Sequence, residues 1–125
     1  MEVDGIGGVF FRAARPDELR AWYAKHLGID LQPYGGATFR ANAGDVTIWF
    51  ITPEGSDYFG PPGQRVMVNY RVGDLDAMLA QLRAGGVEVE DRVGESEHGR
   101  FAWAVDPEGN RFELWQPPPG EYPAG

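Results

Sequence analysis

Residues 99–117 read GRFAWAVDPEGNRFELWQP. From Arg100 to Val105 large and small side chains alternate, which is the pattern of a half-buried strand. Asp106 to Asn110 has the composition of a tight turn, because its proline presets φ and its glycine can adopt a positive φ. Arg111 to Trp115 follows as a second strand. The stretch therefore predicts a β-hairpin, which the prolines from 117 onward terminate.

The residues before this hairpin predict a strand, a helix and a short strand. Val66 to Val72 is rich in residues that favour strands. Asp74 is a good N-cap for a helix that ends at the glycine pair 85–86, and Val87 to Glu90 alternates as a short strand. The apolar positions of the helix are Leu75, Met78, Leu79 and Leu82.

The first half of the chain has elements in the same order. Ile6 to Ala13 predicts a strand, and Pro16 is well suited to begin a helix that ends at Gly28. Ala37 to Arg40 and Val46 to Ile51 predict two further strands. This order recurs after about 55 residues, which indicates an internal repeat.

Residues 52–64, TPEGSDYFGPPGQ, break all periodicity with three prolines and three glycines. We interpret them as a linker loop in which Asp57, Tyr58 and Phe59 are available for contacts, and a packed connector is the equal alternative. The chain is thus interpreted as one domain over residues 1–125. Module one spans about 5–53, the loop 52–64, module two about 65–117, and a tail 118–125.

Composition excludes several kinds of chemistry. The 125 residues carry a net charge of -8 and contain two histidines and no cysteine. Disulfides, cysteine-ligated zinc and iron–sulfur clusters are excluded, and the charge argues against nucleic acid or an anionic membrane as a partner. No stretch approaches the roughly 18 apolar residues of a transmembrane helix. Met1 to Asp4 lacks the features of a signal peptide, so we expect a soluble cytoplasmic protein.

The closing run 99–117, the segment WYAKHLG at 22–28 and the segment VGDLD at 72–76 all lie on this repeated layout. Together they resemble the glyoxalase / bleomycin-resistance / extradiol-dioxygenase superfamily, also called the vicinal oxygen chelate superfamily. The resemblance implies an α+β fold of two βαβββ modules, whose mixed sheets form an incomplete barrel around a central cavity. It also implies a homodimer, since members commonly pair.

The resemblance places metal ligands on the first and last strands of each module. The corresponding positions here are Gly8, Trp49 or Ile48, Met67 and Glu113, of which only Glu113 offers an oxygen ligand. A catalytic zinc typically takes at least three protein ligands, and a thioether is a soft donor that suits copper(I). We therefore expect no metal cofactor, with a divalent metal held by other residues as the alternative.

Candidate binding residues share a strand face with these positions or lie in the loop, because side chains alternate along a strand. They are Phe10, Arg12, Trp49, Tyr58, Asn69, Arg71, Phe101, Trp103 and Glu113. A cavity lined by aromatic side chains with a few polar groups is typical of a small-molecule pocket. Glu113 would accept a hydrogen bond or receive a ligand cation. The alternative is a salt bridge to Arg12 or Arg71 inside the barrel.

Three functions are compatible with these observations. The first is a metal-free protein that binds an aromatic or cationic small molecule in the central cavity, and missing metal ligands favour it. The second is a metal-dependent lyase, isomerase or dioxygenase. The third is a metal-free enzyme that uses Glu113 or His98 as a general base.

Overall fold

The predicted hairpin forms the centre of a mixed sheet. The computed structural model describes residues 1, 6–120 and 122. Its elements are α1 (Pro16–Leu27), β1 (Asn69–Arg71), α2 (Leu75–Ala84), β2 (Glu88–Val89), β3 (Gly94–Ser96), β4 (Gly99–Val105) and β5 (Arg111–Gln116). The strand order is β1-β5-β4-β2, and β3 also pairs with β4. β1 lies parallel to β5, and the other pairs are antiparallel.

The hairpin has the turn that its sequence predicts. β4 and β5 pair from Arg100 opposite Gln116 to Val105 opposite Arg111. The Asp106 carboxylate accepts hydrogen bonds from the backbone N–H groups of Glu108 and Asn110, at 2.9 and 3.0 Å. These bonds hold the turn closed.

The same turn holds α1 against the sheet. The Glu108 carboxylate accepts hydrogen bonds from the backbone N–H groups of Ala14 and Arg15, at 2.7 and 3.0 Å, just before the helix begins. Tyr23 donates its phenolic hydrogen to the Asp106 carboxylate at 2.8 Å. Burial, more than any neighbouring group, raises the pKa of Tyr23, so this phenol remains a donor. A module-two turn thus positions a module-one helix.

Both predicted helices are confirmed, with the expected ends. Pro16 is the first residue of α1, and Gly28 ends it with a φ of 69°. The Asp74 side chain caps α2 by accepting from the backbone N–H of Ala77 at 3.0 Å, and the helix ends at Gly85.

The two helices lie on one face of the sheet. The hydrophobic core lies between α2 and this face. β5 presents Phe112 and Leu114 to this core, and β4 presents Ala102 and Ala104. The alternate residues of β5, Arg111, Glu113 and Trp115, are also buried. Since side chains alternate along a strand, these three lie on the opposite face of the sheet. The core cluster consists of Leu75, Leu79, Leu82, Ala102, Ala104, Phe112 and Leu114.

Module one differs from the prediction. Residues 6–13, 37–40 and 46–51 were each expected to be strands, but none of them forms a strand in the structure. Apolar side chains in these segments are exposed, with Phe10 at 95% and Trp49 at 72%. Strand propensity reflects packing on a paired, half-buried surface, and no described strand pairs with these segments. The mixed sheet of module two and the helix of each module are confirmed, and the two-module barrel stays a prediction.

Smaller differences concern strand ends and the tail. The strand predicted over Val66 to Val72 covers only Asn69–Arg71, and Gly94–Ser96 forms an additional short strand. The predicted start of module one at residue 5, and residues 121 and 123–125 of the predicted tail, lie outside the described residues. Among the described residues, no helix combines the length and the apolar character that crossing a membrane requires.

Leu82→Ala tests the assignment of the core. Leu82 is fully buried between α2 and the sheet. We expect the substitution to lower the free energy of unfolding by about 2–5 kcal/mol, as large-to-small changes in cores do. Urea denaturation measures it. Leu31→Ala, at a leucine that is 36% exposed, is the control and should cost less than about 1 kcal/mol. Equal losses in the two variants would contradict the assignment.

Candidate functional site

The site is built around a buried carboxylate on the sheet face away from the helices. Glu113 is 6% exposed. In the sheet register it lies directly opposite Asn69 of β1 on one side and Trp103 of β4 on the other. Residues that are paired across adjacent strands point to the same face, so the register alone brings these three side chains together.

Three neutral groups donate hydrogen bonds to this carboxylate. The side-chain amide of Asn69 donates to Oε1 at 2.7 Å, and the indole N–H of Trp103 donates to Oε2 at 2.9 Å. The phenol of Tyr58, which lies in the loop 52–64, also donates to Oε2. A buried charge must be hydrogen-bonded or paired, and here hydrogen bonds meet that requirement.

No lysine or arginine among the described residues forms an ion pair with Glu113. The salt bridge to Arg12 or Arg71 that was considered from the sequence is therefore wrong. Arg71 instead donates to the backbone carbonyl of Val46 at 2.8 Å and lies 3.5 Å from the carboxylate of Asp45. The Val46 carbonyl and the Asp45 carboxylate are therefore the partners of this arginine.

Arg111 lies on the same face as Glu113, two residues before it, and has a carboxylate of its own. Its guanidinium donates to both oxygens of Glu90, at 2.6 and 3.0 Å. Hydrogen bonding from Arg111 is the main reason that the pKa of Glu90 lies below its usual value. The guanidinium also lies 5.2 Å from the ring centroid of Trp103. Since Arg111 is paired in this way, it leaves Glu113 as a carboxylate without a cation.

The loop 52–64 is fastened to the sheet through Arg111. The Gln64 side chain donates to the Arg111 carbonyl at 2.7 Å and accepts from its N–H at 2.9 Å. The Arg111 guanidinium donates to the backbone carbonyl of Tyr58. Gly60 has a φ of 87°, and a Cβ there would lie 2.8 Å from Cδ of Arg111, so this close approach requires glycine.

Tyr58 extends from this loop to Glu113. It is 40% exposed, and its ring meets that of Trp103 edge-on, with centroids 6.3 Å apart. Burial, followed by the hydrogen bond to Glu113, raises the pKa of Tyr58 to about 12. The phenol is therefore a neutral donor at physiological pH. The loop is packed against the sheet at Tyr58, as the packed-connector alternative expects, and contact of the loop with a ligand stays a prediction.

The structure brings together four of the nine predicted binding residues: Tyr58, Asn69, Trp103 and Glu113. The other five lie elsewhere. Phe10, Arg12 and Trp49 are exposed, and Arg71 pairs with Asp45. Phe101 stacks on Trp115 along the same face, with ring centroids 6.1 Å apart. That these residues bind a ligand stays a prediction.

Sequence reasoning missed Glu90, Gln64 and Arg111 as parts of the site. Strand alternation does place Arg111 on the face of Glu113, which was the one available signal. Glu90 and Gln64 reach Arg111 from positions 21 and 47 residues away in the chain. No local pattern reports contacts over such separations.

His98, the second candidate general base, lies in a different group of residues. Its side chain is about half exposed, 3.8 Å from the Glu97 carboxylate. The Tyr122 hydroxyl is 3.2 Å from its Nδ1. The described residues show no hydrogen bond between this group and the Glu113 donors.

The donor set does not fit a divalent metal ion. Both oxygens of Glu113 already accept hydrogen bonds, and the Met67 sulfur accepts from Arg111 at 3.6 Å. Gly8, at the position implied for a further ligand, has no donor atom. Within residues 6–120 and the other two described positions, no group of three or more histidine, cysteine, aspartate or glutamate side chains could hold a metal.

Two shallow concavities on the surface do not include Glu113. One, of about 230 Å³, lies between β3, β4 and the prolines 117–119. The other, of about 190 Å³, has Arg71 and Asp45 in its wall. Neither concavity is lined by Tyr58 or Trp103.

Comparison with known proteins identifies related sequences and folds. The family model of the glyoxalase-like domain matches residues 8–115. The crystal structure of TnmS3, an antibiotic binding protein from Streptomyces sp. CB03234, is 26% identical with a TM-score of 0.62, covering 94% of this chain and 99% of that chain. No curated protein matches the sequence.

Two further structures show likeness of fold alone. A glyoxylase/bleomycin resistance protein/dioxygenase domain from Frankia sp. EAN1pec is 18% identical with a TM-score of 0.60, covering 96% of each chain. The fosfomycin resistance protein FosX from Listeria monocytogenes is 11% identical with a TM-score of 0.59, covering 94% of this chain and 97% of that chain. The fold of this chain is thus similar to that of proteins of about the same length.

Trp103→Phe tests the hydrogen-bonded setting of Glu113. Phenylalanine keeps an aromatic ring but removes the indole donor to Oε2. We expect the free energy of unfolding to fall by about 1–3 kcal/mol, because a buried acceptor loses a partner. Chemical denaturation measures the loss. Trp49→Phe makes the same change at an exposed side chain and should alter stability by less than about 0.5 kcal/mol. An equally small effect at Trp103 would contradict this description of the site.

Proposed function

The chain belongs to the glyoxalase-like domain family, and we propose that it is a metal-free protein that binds a small molecule at the Glu113 face of the sheet. The observation that carries the proposal is a buried carboxylate with neutral donors on both oxygens and no cation paired to it among the described residues. Such a carboxylate is a strong acceptor, held in place by the sheet register.

The surroundings of Glu113 favour an aromatic compound that carries a hydrogen-bond donor or a positive charge. Trp103 and Tyr58 supply aromatic surface beside the carboxylate, and Phe101 and Trp115 continue it along the face. Aromatic faces stack on flat ligands. The Trp103 ring already has the guanidinium groups of Arg92 and Arg111 at 4.5 and 5.2 Å from its centroid. The net charge of -8 also favours association with a cation and disfavours nucleic acid and anionic membranes as partners.

Two further observations support binding rather than metal-dependent catalysis. TnmS3, which is 26% identical over nearly the whole of both chains, is an antibiotic binding protein. The side chains at the positions implied for metal ligands are unsuited to a hard cation, and Glu113 is engaged by its donors. A metal-dependent lyase, isomerase or dioxygenase would need ligands from elsewhere. Cytoplasmic location stays a prediction.

We further propose that the functional unit is a homodimer in which module one completes the barrel. The segments 6–13 and 46–51 expose Val9, Phe10, Trp49 and Phe50 to solvent. Large exposed apolar patches mark association sites. Covering them would place Phe10, Arg12 and Trp49 on a closed sheet, where the sequence predicts that they line the cavity.

Glu113→Gln tests the binding site directly. We expect the wild-type protein to bind benzamidinium, a small aromatic cation, saturably in isothermal titration calorimetry. The substitution should raise its Kd on the order of tenfold or more, since hydrogen bonds to charged groups contribute roughly 1.5–3 kcal/mol. Glu97→Gln makes the same change at an exposed carboxylate and should leave the Kd unchanged.

Two results would contradict the proposal. The first is binding that Glu97→Gln and Glu113→Gln affect equally. The second is stoichiometric uptake of manganese, nickel or iron(II) by the wild-type protein, which would favour the metal-dependent alternative.

Phe50→Asp tests the homodimer. The chain mass is 13.8 kDa, so sedimentation equilibrium should give twice that mass for the wild-type protein. A charge at Phe50, within the exposed apolar segment, should reduce the mass to that of one chain, because burying an unpaired charge at an interface is unfavourable. Tyr34→Asp, at an exposed residue outside these segments, should leave the dimer intact. A monomeric wild-type protein would contradict the proposal.

A further inference from the structure

The three donors to Glu113 are held in different ways. Asn69 and Trp103 lie in strands and face Glu113 directly across the sheet register. Trp103 is buried, whereas Asn69 is exposed. Tyr58 reaches the carboxylate from the loop 52–64, which has no regular strand or helix. Tyr58 is therefore the one donor of the three that does not lie in a strand.

Release of the Tyr58 side chain does not require the loop to detach. The loop is fastened by contacts to its backbone and to Gln64: Arg111 donates to the Tyr58 carbonyl, and Gln64 binds the Arg111 backbone. These contacts involve no atom of the Tyr58 ring. The side chain is 40% exposed, and side chains with solvent access change rotamer on fast timescales. Rotation of this one side chain thus frees one acceptor position on Oε2.

The space that Tyr58 would vacate has the shape and polarity of a phenol. The hydroxyl occupies an acceptor position on Oε2, and the ring lies edge-on against Trp103, with centroids 6.3 Å apart. Edge-to-face packing at this distance is favourable for any aromatic ring. The indole N–H of Trp103 keeps Oε2 oriented after the phenol leaves.

We propose that Tyr58 is an internal occupant of the acceptor position that the ligand takes, so that it competes with the ligand, and that this acceptor favours aromatic molecules with a phenolic hydroxyl. This inference rests on the proposed function, because it assumes that a small molecule binds at Glu113. A bound phenol replaces the Tyr58 hydrogen bond with one of its own. A ring without a donor displaces Tyr58 and leaves Oε2 one partner short, which weakens its binding.

The test uses two probes, p-cresol and 4-methylanisole, which differ in that the methyl ether cannot donate a hydrogen bond. Their Kd values are measured by calorimetry on the wild-type protein, on Tyr58→Phe and on Tyr34→Phe. Tyr34→Phe removes a phenol that is exposed and outside the site. In parallel, the indole N–H resonance of Trp103, assigned with Trp103→Phe, reports whether a probe reaches Glu113.

Tyr58→Phe should bind both probes more tightly than the wild-type protein, on the order of tenfold, because neither has to break the hydrogen bond of an internal phenol. In both proteins p-cresol should bind more tightly than 4-methylanisole by a similar factor, because it donates to Glu113. Tyr34→Phe should behave as the wild-type protein does. The Trp103 indole resonance should shift on addition of p-cresol.

Other outcomes would overturn the inference. If Tyr58→Phe gains no affinity for p-cresol, or if 4-methylanisole binds as tightly as p-cresol, Tyr58 does not hold the place of a ligand donor. If those results occur while the wild-type protein binds benzamidinium through Glu113, the proposed function stands and only this inference fails. If neither probe binds any variant but benzamidinium binds through Glu113, only this inference fails; if benzamidinium does not bind either, both fail.

Discussion

The buried Glu113 carboxylate, which forms no ion pair with a described residue, constrains the strands and the loop around it. Glu113 is almost inaccessible to solvent, and an ionised group in that position is unfavourable unless several donors replace its water. Pairing of β5 with β1 and β4 supplies two of those donors, Asn69 and Trp103. The third comes from Tyr58, so the loop 52–64 must lie over the sheet. Burial of this carboxylate therefore depends both on the register of the three strands and on the loop 52–64 lying over the sheet.

Arg111 lies beside this carboxylate but forms its ion pair with Glu90. It lies two residues from Glu113 on the same face, yet its guanidinium is taken up by Glu90 and by the carbonyl of Tyr58. The arginine thus secures the loop and leaves the neighbouring carboxylate without a countercharge. The resemblance implies a metal ligand at the strand position of Glu113, and in the structure this carboxylate accepts hydrogen bonds from Tyr58, Asn69 and Trp103.

Local chemistry made most of module two predictable. The Asp106–Asn110 turn, the Asp74 cap and the glycine after each helix each specify a backbone conformation within a few residues. Alternation along β5 placed Glu113 and Arg111 on one face, and the irregular loop composition singled out Tyr58. The contact between Tyr58 and Glu113 spans 55 residues, which no local pattern reports. The module-one strands were mispredicted because strand formation depends on a partner surface that residues 6–13 and 46–51 do not have within the described chain.

The central claim is that Glu113 is the acceptor for an organic ligand, and a crystal structure of the protein purified from its native host tests it most directly. We expect density for an aromatic compound with a donor atom within hydrogen-bond distance of the Glu113 carboxylate, with the Tyr58 side chain displaced. A metal ion coordinated by Glu113 would contradict it, as would a bound compound that makes no contact with this carboxylate.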